Sequence, residues 1–168
     1  MDPALVLILL LHPIAALLVI REFILQRDWR KKSLELKGQE RASESRRHEI
    51  EGERLFRLVI AVIGLAFLAR LVSASLSGED LGYDDLMPGH FHGWGGLLGL
   101  LLMTYLWVLG RRASSRKAAG ESFSRTKDSH GRLSDVMMVL IIIHAFLGFL
   151  YLLQPVSYTH LTLPTRRF

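Results

Sequence analysis

The chain has 168 residues, half of them apolar, with 21 Lys+Arg against 16 Asp+Glu and no cysteine. That length fits one domain, and the missing cysteines exclude disulfide frameworks, thiolate-bound zinc, iron–sulfur clusters and thiol nucleophiles. The net charge of +5 is not spread as in a basic nucleic-acid-binding domain. Long uncharged apolar runs alternate with dense charge, the layout of a protein that crosses a membrane several times.

Four runs have the length and composition of membrane spans: residues 3–25, 55–76, 91–110 and 133–154. Each has ~20 residues, enough at ~1.5 Å per residue to cross a ~30 Å hydrocarbon layer. The first carries His12, Pro13, Arg21 and Glu22; Pro13 is expected to kink it and free a carbonyl one turn earlier. A signal peptide is the weaker reading, since Asp2 stands where a basic start is usual. Lys37–Arg57 is rich in Glu, Arg and Ala, so the second span is expected to continue as a helix into the cytoplasm, with His48 near the membrane surface. The Ser/Lys/Gly-rich stretch Ala113–Ser129 reads as a mobile loop.

Charge orients the spans. Ten Lys+Arg lie between Arg21 and Arg54 and seven between Arg111 and Arg132, whereas Ser77–His90 carries only Glu79, Asp80, Asp84 and Asp85. The positive-inside rule makes both basic loops cytoplasmic and puts both termini outside. The expected fold is therefore all-α: an integral-membrane antiparallel four-helix bundle in the lipid bilayer. Residues 156–165, VSYTHLTLPT, resemble a translated sequencing adapter. The native domain is accordingly expected to be 1–155, with 156–168 a non-native tail that includes His160.

Outside that tail stand His12, His48, His90, His92, His130 and His144. Ionisable side chains are rare in spans and usually functional there, and neutral imidazole suits haem iron. His130 and His144 are fourteen residues apart, which on one helix is ~40° of rotation and ~21 Å of rise. Axial ligands to two haems stacked across a membrane need such a displacement. His48 is placed to face His130. On the outer side, His12 and His144 agree in depth, and His92 is preferred to His90 because it opens the run H-G-W-G-G-L-L-G. Gly93, Gly95, Gly96 and Gly99 in this run clear a porphyrin face or let helices approach closely, Gly95 and Gly99 having GxxxG spacing. Arg70 either snorkels or pairs with a propionate of the outer haem. Each histidine equally has a packing role open to it, as a hydrogen-bonding or interfacial side chain. Trp94, Tyr105 and Trp107 fit interfacial or packing positions.

The residues resemble the DUF4079 family of small four-helix membrane proteins, related to the cytochrome b561-like di-haem proteins. The likeness rests on L-H-P at Leu11–Pro13, H-x-x-x-G-x-x-L at His48, Gly52 and Leu55, G-H-F-H-G from Gly89, and H-A-F-L-G-F-L-Y-L-L-Q from His144. It implies one or two bis-histidine b-type haems and electron transfer across a bacterial inner or thylakoid-type membrane, between a donor and an acceptor the sequence does not name. It further implies His12 paired with His92 and His48 with His130, leaving His144 over, whereas depth alone pairs His144 with His12. Two other readings stay open: a haem-free membrane scaffold, and an external metal site of His90, His92, Asp84 and Asp85. No nucleotide-binding loop, catalytic triad or paired-carboxylate site is present, so any enzymatic role is that of a transmembrane oxidoreductase.

Overall fold

The computed structural model describes residues 3–76, 82 and 87–161, without the side chains of 3–6, 8, 9 and 154–161. The described residues are helical: α1 (Pro3–Arg27), α2 (Trp29–Glu35), α3 (Gly38–Leu76), α4 (Phe91–Ala118) and α5 (Ser124–Leu161). Three of the helices, α3, α4 and α5, are long and apolar enough to cross a membrane. The first expected span lies in α1, which is continuous through Pro13. The acidic residues Glu79, Asp80, Asp84 and Asp85 fall outside the described residues. Helix α5 continues beyond Pro155 into the adapter-like stretch, as far as Leu161.

Each long helix touches its neighbours, α1 against α3, α3 against α4, α4 against α5, with a smaller contact between α1 and α5. A buried apolar cluster draws on all four: Phe23 from α1, Leu55 from α3, Met103 and Leu106 from α4, and Met137 from α5. Elsewhere the helices turn large apolar side chains outward. Leu17 and Leu101 are each 66% exposed, Ile142 61% and Phe146 60%. Exposed apolar area costs ~25 cal/mol per Å² in water, and hydrocarbon around the spans removes that cost.

Two helices extend well past the apolar spans. As expected, α3 begins at Gly38 and carries His48 on its polar part. The stretch Ala113–Ser129 differs from the expected loop: α4 runs to Ala118 and α5 starts at Ser124. Polar contacts with α3 hold the end of α4 helical. Arg111 donates to Glu53 at 2.9 Å, Ser114 to Glu49 at 2.8 Å and Lys117 to Ser45 at 2.8 Å. The turn itself is confined to a few residues, because Gly120 adopts φ +70°. Its N–H reaches the Lys117 carbonyl and the Glu121 N–H the Arg116 carbonyl, the Schellman closure that favours glycine.

Candidate functional site

The histidines gather at two levels. At one end of the spans, His12 from α1, His92 from α4 and His144 from α5 come together: the His12 and His92 ring centroids are 6.1 Å apart at 81°, and His92 and His144 are 4.0 Å apart at 17°. At the other, His48 from α3 faces His130 from α5 at 6.4 Å and 84°. Fourteen residues separate the levels on three helices: His48 to Val62, His92 to Leu106, His130 to His144. That is ~21 Å of rise.

Backbone carbonyls set the state of three rings. His12 Nδ1 bonds the Val62 carbonyl at 3.3 Å, His92 Nδ1 that of His144 at 3.1 Å, and His130 Nδ1 that of Leu106 at 3.1 Å. A carbonyl only accepts, so Nδ1 carries the proton and the neutral ring keeps its lone pair on Nε2, free for a metal. The same bond fixes ring orientation, the usual outer support of a metal-binding histidine. His90 is the opposite case. Its Nδ1 accepts the Gly93 N–H at 3.0 Å and caps α4, so in the neutral ring the proton sits on Nε2. His90 therefore has a structural job at the start of α4, where its ring lies 6.0 Å from that of His92.

Spacing sorts the remaining pairs. A metal about 2 Å from each of two imidazole nitrogens puts the ring centroids roughly 6 Å apart, the half-rings adding about 2 Å. The His12–His92 and His48–His130 pairs have this spacing. The parallel contact of His92 with His144 is too close to admit iron, and the His144 Nδ1 is buried without a hydrogen-bond partner among the described residues. His144 thus joins the cluster against His92, whereas depth alone had paired it with His12.

Glycines make the cluster of His12, His92 and His144 possible. A Cβ on Gly148 would lie 2.7 Å from His92 Cε1, and one on Gly95 3.1 Å from His144 Nδ1. The glycines that open α4 thereby seat His144, with Gly96 beside its ring and Gly99 against Leu140. Arg70 lies partly buried on α3, eight residues beyond Val62, or ~12 Å along the axis.

The level of His48 and His130 opens into a cavity of about 1420 Å³ that His48, His130, Trp29, Gln26, Phe56 and Trp107 help to line, larger than the ~300–1,000 Å³ typical of ligand sites. Trp29 lies 5.6 Å from His48 at 21°. Its helix α2 is held by Asp135, which accepts from Arg27 at 2.7 Å and Arg30 at 2.8 Å. Gln26 Oε1 and Trp107 Nε1 are buried with no partner among the described residues. Sequence reasoning singled out none of Trp29, Gln26 and Gly148. A signal was available for two of them: Gln26 follows His12 by the same fourteen residues, and Gly148 follows His144 by one turn, as Gly52 follows His48.

No group of three or more His or carboxylate side chains able to hold a metal ion stands among the described residues; Asp84 and Asp85, the carboxylates of the expected external site, lie outside them. No family model matches the chain, and neither any curated protein nor any solved structure shows a significant match to it.

Proposed function

We propose that the protein is a membrane b-type cytochrome: an antiparallel four-helix bundle in the lipid bilayer, basic loops on the cytoplasmic side, passing electrons between two bis-histidine haems. The reading is that of the DUF4079-like resemblance. The observation that carries it is the repeated pair of histidines from different helices, His12 with His92 and His48 with His130, each at the centroid spacing that a shared metal requires.

Haem bound by these histidines would supply one-electron chemistry. The chain's part is to hold the ligands. Val62, His144 and Leu106 carbonyls hold three Nδ1 protons and so leave the Nε2 lone pairs free. Apolar helix faces exclude water, and the buried cluster of Phe23, Leu55, Met103, Leu106 and Met137 keeps the helices in register. The cytoplasmic basic residues suit an anionic donor or lipid headgroups.

A scaffold reading has one observation in its favour, since the same three Nδ1 bonds tie α1 to α3 and α4 to α5 without any metal. Purification in mild detergent separates the two. The cytochrome reading expects a reducible b-type spectrum with about two haems per chain; a colourless, folded protein that takes up no added haem leaves the scaffold.

A further inference from the structure

One of the four paired histidines lacks the support that the other three have. Carbonyls take the Nδ1 protons of His12, His92 and His130, and His48 makes no such bond among the described residues. The register of the helices shows what stands opposite it. Between α4 and α5, His92 meets the His144 carbonyl; fourteen residues forward on α4 and fourteen back on α5, Leu106 meets His130. Between α1 and α3, His12 meets the Val62 carbonyl, and the same two steps set Gln26 against His48. Two contacts agree with that register. Trp29, three residues after Gln26, lies 5.6 Å from the His48 ring at 21°, and Gln26 and His48 line the same cavity. Gln26 also has a need of its own. Its Oε1 is buried with no donor among the described residues, and a buried acceptor left unpaired costs free energy that a neighbouring N–H recovers.

We propose that Gln26 is the positioning residue of His48, its side-chain oxygen accepting the Nδ1 proton when Nε2 binds haem iron. This deepens the haem reading above and rests on it. The glutamine side chain has three rotatable bonds, so pairing asks for a change of rotamer and not a movement of helices. The bond sets the tautomer of His48 and makes the ring a more basic ligand. A more basic ligand favours ferric iron, so the potential of that haem falls.

The test is haem and redox titration of the detergent-solubilised full chain, following the haem that His48→Ala loses, with the other haem as internal control. Gln26→Leu keeps the bulk and removes the acceptor. It should bind the followed haem at least about tenfold more weakly and raise its potential, leaving the His12–His92 haem unchanged. Gln26→Glu keeps an oxygen in place and should hold that haem as tightly as the wild type, at a lower potential, because a carboxylate is the stronger acceptor. An unchanged potential in Gln26→Leu overturns the proposal even where binding weakens, since Gln26 would then serve packing alone. So does a potential in Gln26→Glu at or above that of the wild type, which decides the matter if Gln26→Leu does not fold. Wild-type protein that takes up no haem between His48 and His130 would instead remove the cytochrome reading itself.

Discussion

At the scale of single residues, five histidines divide by what their Nδ1 atoms do. A carbonyl partner leaves Nε2 for iron; an N–H partner, as at His90, takes that option away. His144 has neither and lies flat against His92. Replacing His92 by Ala should therefore lower the haem content from about two per chain to one, whereas His144→Ala should leave it near two, counted by pyridine haemochrome. Loss of a haem in His144→Ala with retention in His92→Ala would reverse the assignment. Gly148→Ala is a finer probe. Its methyl would come within 2.7 Å of His92 Cε1, and overpacking of this kind costs ~1–3 kcal/mol. Lower outer-haem occupancy with the inner haem intact is expected in the optical redox titration. The histidines themselves were legible in the sequence, because depth follows from position along a helix. Their partners were not, since the rotation of one helix against another is set by side chains far apart in the chain. Depth accordingly favoured His12 with His144, while the rotation of α4 brings His92 opposite His12.

At the scale of elements, the polar ends of α3 and α4 show the same limit. Ser, Lys and Gly in Ala113–Ser129 have the composition of a loop when read locally. The helix persists because Glu49, Glu53 and Ser45, more than fifty residues earlier, supply partners. Exposed pairs of this kind are each worth ~0–1 kcal/mol, so the double change Glu49→Ala, Glu53→Ala should cost ~1 kcal/mol in detergent-based unfolding. The loss should be confined to the end of α4, read as faster amide exchange over residues 111–118; unchanged exchange there would count against the ladder. Asp135 joins α1, α2 and α5 through Arg27 and Arg30 at partly exposed positions. Asp135→Asn should likewise cost ~1 kcal/mol or less and loosen α2, seen as increased mobility of a spin label at Leu34. A label as immobile as before would show that Trp29 and the buried Ser33 hold α2 unaided.

At the scale of the whole molecule, hydropathy and charge made the helical membrane class readable without any tertiary information, because lipid leaves backbone groups few ways to be satisfied. Three helices long and apolar enough to cross a membrane agree with that reading, and their outward leucines and isoleucines need a hydrocarbon neighbour. The absence of cysteine makes the proposed orientation simple to check. A single Cys at Gly82 should react with an impermeant maleimide in intact cells, and one at Ser43 only after permeabilisation. The opposite pattern would invert the molecule. The central claim is that two pairs of imidazoles, each from separate helices, close on iron at two heights. Its most direct measurement is electron paramagnetic resonance of the oxidised, purified protein with a parallel haem count. The 81° and 84° angles between paired rings predict two strongly anisotropic low-spin ferric signals, one lost in His12→Ala and the other in His48→Ala. High-spin iron, or low-spin signals that survive both substitutions, would contradict it.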